Sequence, residues 1–498
     1  MNLDEILQHE ETLDPQDWQA MRSLGHRMVD DMITYLQTLR ERPAWQPIPQ
    51  QVKERLRQPL PQQSEGAETA YQDFLENVLP YPHGNIHPRY WGFVNGTGTV
   101  LGMFAEMLAA AMNPNVGGAD HSAVYVERQV LDWCKEMLGY PPEASGILVS
   151  GGSMANLLGL AIARNTKTDF DIRTEGVRAA RGMLTVYCSS ETHSSVQKAA
   201  EFLGLGSKAL RKVPVDREYR LDSASLEKMI AEDRQAGHIP FCVVGTAGTV
   251  NTGAIDPLDR IADICRRESL WFHVDGAFGS LAALLPEMRD RLSGMTRADS
   301  LAFDLHKWMY LPYEAGCVLV KSKAAHEKAF AVVPAYLAKH ERGLMAGPEW
   351  FANYGIQLTR GFRALKAWLV LKEHGLEKFR TLIRQNIAQA QYLAGLVEKS
   401  QSLELLAPVP LNVVCFRFAS ARLDEKALNE LNRELLMELH ERGIAVPTST
   451  VLQGKYALRV AITNHRSRKE DFEALVQGAE RLGKERLQLC LQALVCYK

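Results

Sequence analysis

Lys307 stands in the run Asp299-Ser300-Leu301-Ala302-Phe303-Asp304-Leu305-His306-Lys307-Trp308, downstream of a second run, Trp271-Phe272-His273-Val274-Asp275-Gly276-Ala277. A carboxylate at a strand end and a lysine about thirty residues further on suit pyridoxal 5'-phosphate. A lysine amine forms an imine with that cofactor's aldehyde. A carboxylate keeps its pyridine nitrogen protonated, so that the ring can absorb an electron pair. Asp275 follows an apolar strand, where a carboxylate is buried and needs a partner. A pyridinium N–H offers a charge-assisted bond of about 1.5–3 kcal/mol. The plainer alternatives are an aspartate capping the next turn and a surface lysine on a helix. The position of Lys307 between His306 and Trp308, at the end of an apolar strand, argues for burial.

Two weaker signals accompany this pair. Ser150-Gly151-Gly152-Ser153-Met154-Ala155-Asn156 follows an apolar run and opens a helical pattern. Glycines there let the backbone approach an anion, and unpaired N–H groups at a helix start favour a phosphate. The run lacks the GK[ST] ending of a P-loop, and taken alone a plain tight turn is the stronger reading. His193, in Glu191-Thr192-His193-Ser194-Ser195, could lie flat on a cofactor ring or be an incidental histidine near a helix cap.

The elements that must position these residues alternate in type. Gly146–Val149, Leu184–Cys188, Phe241–Gly245 and Cys317–Val320 are short, apolar on both faces and followed by Gly, Ser or Thr. That pattern predicts a mainly parallel sheet covered by helices, with ligands beyond the carboxyl ends of its strands. The segment 1–85 reads as a helical arm. Asp14-Pro15 is its expected helix start, and a Pro- and Gln-rich extended stretch covers 41–65. Residues 86–385 form the expected large domain and 386–498 a small α+β domain. Helices are expected at Thr359–His374 and Leu376–Lys399, and an irregular loop at 331–350.

Composition narrows the function. Of 498 residues, 46% are hydrophobic and 23% charged, as in an ordinary globular protein of more than one domain. The formal net charge of -2 suggests no nucleic-acid partner. No stretch approaches the roughly 18 apolar residues of a membrane span. The acidic start, Met1-Asn2-Leu3-Asp4-Glu5, does not read as a signal peptide. Eight cysteines without metal-like spacing read as reduced thiols, so a cytoplasmic protein without a metal site is expected.

Taken together, the phosphate turn, the histidine, the aspartate and the lysine come in an order that resembles the group II pyridoxal-phosphate-dependent amino-acid decarboxylases, the family of aromatic L-amino-acid decarboxylase. The resemblance spans nearly the whole chain. It includes His87-Pro88, Asp132-Trp133, His193-Ser194-Ser195, His273-Val274-Asp275, His306-Lys307-Trp308, Tyr336-Leu337 and Gly361-Phe362-Arg363-Ala364-Leu365-Lys366-Ala367-Trp368. It implies an α/β protein of pyridoxal-phosphate fold type I, with a mainly parallel seven-stranded sheet, and a homodimer with active sites at the subunit interface. It implies Lys307 as the imine lysine, Asp275 as the pyridine-nitrogen partner and His193 as the stacking residue. Ala277 would pack under the ring. Gly152, Ser153 and Asp304 would lie near the phosphate, and Thr249 and His306 would also touch the cofactor. Val250 departs from the family, since many relatives carry a second threonine there. The loop 331–350 would form a lid whose Tyr336 returns a proton to the substrate carbon after carbon dioxide leaves.

The resemblance thus implies decarboxylation of an L-amino acid, with aromatic substrates leading. An acidic substrate would want an arginine or lysine at its side chain. An oxidative decarboxylase giving an aldehyde, an aminotransferase and a silent binding protein are the other readings. Arg459 is the residue an aminotransferase would use to grip a carboxylate; in a decarboxylase it reads as structural.

Overall fold

A computed structural model describes residues 7–8, 11–332 and 340–496. Contacts divide the chain into two units, Met1–Gly84 and Asn85–Lys498. In the first, the Trp18–Gln37 helix starts three residues later than Asp14-Pro15 suggests. Asp17 is its cap and accepts from the backbone N–H groups of Gln19 and Ala20. Helices Gln50–Arg55 and Ala67–Asn77 follow, so the Pro- and Gln-rich stretch is not wholly extended.

The second unit is built on a seven-stranded sheet. Its strands are β1 (Ser145–Val149), β2 (Leu184–Ser189), β3 (Leu210–Val213), β4 (Ile239–Thr246), β5 (Trp271–Asp275), β6 (Ser300–Asp304) and β7 (Gly316–Val320). They lie in the order β1-β7-β6-β5-β4-β2-β3. All pairs from β6 to β3 are parallel, and β7 alone runs antiparallel to both its neighbours. β1, β2, β5, β6 and β7 are buried along their whole length, which explains their unbroken apolar runs. The mainly parallel sheet expected from the strand pattern, with the seven strands that the resemblance implies, is therefore present.

The Gly152–Lys167 helix packs on β5, β6 and β7. Gly159 lets it come close, since a Cβ there would lie 2.5 Å from His273 Cε1. The Ala364–Lys399 helix breaks at Gly375, whose φ is 64°. It starts at Ala364 and not at Thr359, because Arg360 is tied elsewhere: its N–H donates to Asn115 Oδ1 and its carbonyl accepts from Val116.

A smaller antiparallel sheet follows, with β8 (Leu403–Leu405), β9 (Val413–Phe418), β10 (Thr448–Leu452) and β11 (Lys455–Ala461) in the order β10-β11-β9-β8. Helices Glu425–Glu441 and Lys469–Cys496 bury Leu435, Leu439, Phe472 and Leu475 in a core with Phe416 and Val460. No helix among the described residues is long and apolar enough to cross a membrane.

Candidate active site

The carboxyl ends of β4, β5 and β6 present Thr246, Asp275 and Asp304, with Thr246 in register with Asp275. Past β1, the turn 150–153 comes up beside them. Together they enclose a cavity of about 840 Å³, lined by Gly152, Ser153, His193, Asp275, Ala277, Asp304, His306 and Lys307. Eight of the expected site residues are thus brought together from four separate stretches of chain.

Asp275 closes β5 and is 3% exposed. Its Oδ2 accepts from Asn156 Nδ2 at 3.0 Å and its Oδ1 from the Ala277 N–H at 3.2 Å. Lys307 lies in the short helix Leu305–Trp308 after β6, and its Nζ is 2.8 Å from Asp304 Oδ2. Asp304 is 1% exposed, and its Oδ1 accepts no hydrogen bond among the described residues. A buried carboxylate in that state is held by the lysine's charge. His306 takes the Ala315 N–H on Nδ1, and withdrawal from water pushes its pKa below the ordinary value.

The glycines of the turn are needed for close approach. A Cβ on Gly152 would lie 3.0 Å from Asp304 Oδ2, and one on Gly151 would lie 3.3 Å from His306 Cε1. The Gly152–Lys167 helix starts here without a side-chain cap, which leaves its first-turn N–H groups for an anion. His193 caps the Ser194–Phe202 helix: its Nδ1 accepts the Ser195 N–H at 3.2 Å. Desolvation lowers its pKa, against the pull of the Asp275 carboxylate. An acceptor Nδ1 places the proton of the neutral ring on Nε2.

Thr249 is not brought to the cavity. It is fully buried in the turn after β4, where its hydroxyl meets Thr252 Oγ1 at 3.0 Å and accepts the Ala254 N–H at 3.1 Å. Thr246 lines the cavity in its place, with an Oγ1 that has no hydrogen-bond partner among the described residues. Its backbone is fixed by Asp256, which accepts the Thr246 N–H at 2.8 Å and whose own pKa burial lifts to about 7. Tyr336 lies outside the described residues.

Beyond Thr246, sequence reasoning missed Asn156 and Phe93, and it read Arg459 as structural. Asn156 belongs to the recognised phosphate-turn run, but nothing in that run points to Asp275. Phe93 lines the cavity with a φ of 56°, its backbone pinned between Thr448 Oγ1 and Arg459 Nη1. Arg459 holds the Val250 and Phe93 carbonyls at 2.6 and 2.9 Å, a structural task, yet it also lines the cavity. Its Nη2 is buried with no hydrogen-bond partner among the described residues, and desolvation lowers its pKa to about 10.

These residues fit pyridoxal phosphate. An uncapped helix start and a glycine cradle suit its phosphate, Lys307 suits its aldehyde and Asp275 suits its ring nitrogen. Thr246 Oγ1 is an unused polar group in the same cavity. The comparisons with known proteins agree. Residues 49–419 match the pyridoxal-dependent decarboxylase conserved domain. The chain is 34% identical to an aromatic-L-amino-acid decarboxylase of Bacillus atrophaeus, over 94% of this chain and 96% of that one. It is 30% identical to a phenylacetaldehyde synthase of Arabidopsis thaliana, over 94% and 98% of the two chains. The structure of Oryza sativa TDC with PLP and tryptamine superposes with a TM-score of 0.87 at 27% identity, covering 95% of this chain and 99% of that one. The chain belongs to the pyridoxal-dependent decarboxylase family and is a carboxy-lyase that works with pyridoxal 5'-phosphate.

Proposed function

We propose that this enzyme converts an aromatic L-amino acid to its amine and carbon dioxide, working as a homodimer. The observation that carries the reading is the cavity itself. It joins Lys307 and Asp275 to a wall that includes Phe93, Val94, Phe278 and Tyr313. The aromatic-L-amino-acid decarboxylase among its relatives supports an aromatic substrate. Bound pyridoxal phosphate supplies an electron sink conjugated to the substrate's α-carbon.

This chain's residues supply the rest. Lys307 would be the covalent attachment point, and its Nζ lies 2.8 Å from Asp304 Oδ2. First-turn N–H groups of the Gly152–Lys167 helix and the Ser153 hydroxyl hold the phosphate. Asp275 keeps the ring nitrogen protonated, its two oxygens already oriented by Asn156 and the Ala277 N–H. His193 and Ala277 line the cavity where they would hold the ring, and Thr246 would offer it a hydroxyl. By the family resemblance, Tyr336 returns a proton to the α-carbon and helps exclude water and oxygen. Borohydride reduction and peptide mapping should place the pyridoxyl label on Lys307; a label on another lysine removes the assignment.

One observation favours a second reading, an acidic substrate: the unpaired Nη2 of Arg459 in the cavity. Incubation with aromatic and acidic amino acids, with products identified by mass, separates the two. Aromatic amines are the expected products; γ-aminobutyrate, β-alanine or hypotaurine would establish the acidic reading, and aldehyde without amine the oxidative one.

The arm 1–84 supports the dimer. It leaves Trp18, Met21, Ile48, Leu56 and Leu60 exposed, which is apolar surface for a partner subunit to cover in a two-fold assembly. A chain starting at Gly84 should be monomeric or insoluble in sedimentation; a soluble, active dimer without the arm would refute the role. The free, mostly buried cysteines are in keeping with the reducing cytoplasm.

A further inference from the structure

Behind Asp275 lies a line of buried polar side chains drawn from β5, β6 and two helices. Trp271 Nε1 donates to Ser300 Oγ at 2.8 Å. Ser300 Oγ is 2.8 Å from His273 Nδ1, and His273 Nε2 is 2.9 Å from Asn156 Oδ1. Asn156 Nδ2 donates at 3.0 Å both to Asp275 Oδ2 and to Ser195 Oγ. Ser195 Oγ is 2.8 Å from His193 Nδ1. Asn156, Ser195, His273 and Ser300 are each at most 3% exposed.

The chemistry of each group fixes the direction of every bond. An indole nitrogen only donates, so Ser300 accepts from Trp271; a carboxylate only accepts, so Asn156 Nδ2 faces Asp275 and Asn156 Oδ1 faces His273 Nε2, which must donate and leaves Nδ1 to accept from Ser300. Burial lowers the His273 pKa to about 3, so the ring is neutral and its single proton sits on Nε2. That proton goes to Asn156 Oδ1 and holds the amide in one orientation, with both N–H bonds toward Asp275 and Ser195. Ser195, accepting from the amide, passes its hydroxyl proton to His193 Nδ1. Gly159, three residues after Asn156 on the same helix face, makes room for the His273 ring.

We infer that Asn156 is a positioning residue that sets Asp275 and His193 together toward the cofactor ring, its amide locked by His273, Ser300 and Trp271. The inference rests on the proposed pairing of Asp275 with the ring nitrogen. Asn156 clamps one carboxylate oxygen while the Ala277 N–H clamps the other, so the carboxylate cannot turn. Through Ser195 the same amide keeps His193 Nδ1 an acceptor.

The test measures the affinity of the apoprotein for pyridoxal 5'-phosphate by fluorescence, with circular dichroism confirming the fold at each pH. Asn156→Leu removes both donors and should weaken binding roughly tenfold at pH 6 and pH 8, the worth of one hydrogen bond to a charged group. Asn156→Asp keeps the shape and the acceptor for His273 but sets two carboxyls side by side. Such a pair retains a shared proton as the pH falls, and the introduced carboxyl then donates to Asp275 again. Its affinity relative to the parent should be roughly tenfold weaker at pH 8 and recover to within about threefold near pH 5.5. A residue that only packed the fold would lower apoprotein stability without this pH-dependent recovery. Asp275→Asn, measured alongside, separates the two ideas. If it weakens binding while Asn156→Leu does not, or if Asn156→Asp shows no recovery, the positioning role is wrong. If Asp275→Asn leaves binding unchanged, the ring-nitrogen reading itself is wrong.

Discussion

Asp275→Asn should lower turnover by roughly a hundredfold or more while leaving the fold intact. The substitution keeps the side chain's shape and removes its charge, which in the proposed reading keeps the pyridine nitrogen protonated. The surroundings add a second penalty. Both carboxylate oxygens of Asp275 accept bonds, Oδ2 from Asn156 Nδ2 and Oδ1 from the Ala277 N–H. An amide has one acceptor oxygen, so either orientation leaves one of those donors facing an N–H. An orphaned buried donor costs about 1–3 kcal/mol. Cofactor retention should therefore fall along with turnover. Steady-state kinetics on aromatic substrate, with bound cofactor read from absorbance, checks both. Near-normal turnover would show that Asp275 does not meet the ring nitrogen.

Asp275 was legible in the sequence because burial and residue type agree there; Lys307, whose side chain stays 21% exposed, was legible from its place after an apolar strand. A carboxylate ending an apolar strand has few ordinary explanations, and the strands themselves announce a parallel sheet by their unbroken apolar runs. Thr246 and Thr249 show where such reading ends. Both lie in Gly245–Val250, and nothing local separates them. Thr246 ends β4 in register with Asp275, whereas Thr249 lies past Gly248, whose φ of 91° turns the chain so that the hydroxyl serves the turn. The choice is made by Asp256, ten residues on, which grips the Thr246 N–H. Asn156 stayed hidden for a similar reason. Its partners come from β5 and from the start of the Ser194–Phe202 helix, and only packing brings them to one amide. Arg360 moved a helix start in the same way, through contacts with Asn115 and Val116 far away in sequence.

Tyr336→Phe should change the product rather than the binding. The substitution keeps the aromatic ring and deletes the one proton that the phenol can lend. The amine-forming reaction consumes a proton: an α-amino acid loses carbon dioxide, and the α-carbon takes up hydrogen in its place. With the phenol gone, that carbon stays electron-rich for longer, and dissolved oxygen becomes the competing acceptor. The balanced alternative takes one amino acid, one oxygen and one water to an aldehyde, carbon dioxide, ammonia and hydrogen peroxide. We expect amine formation to drop sharply with the best aromatic substrate, while aldehyde, ammonia and peroxide appear in equal amounts. Cofactor affinity should hardly move, because Asp275, His193, the helix start at Gly152 and Lys307 are all untouched. Mass analysis of products, with oxygen uptake followed in parallel, reads every arm. Amine at the parent rate with no peroxide would show that the proton comes from elsewhere. His193 would then be the next donor to test, because its neutral ring carries its proton on Nε2 and it lines the same cavity.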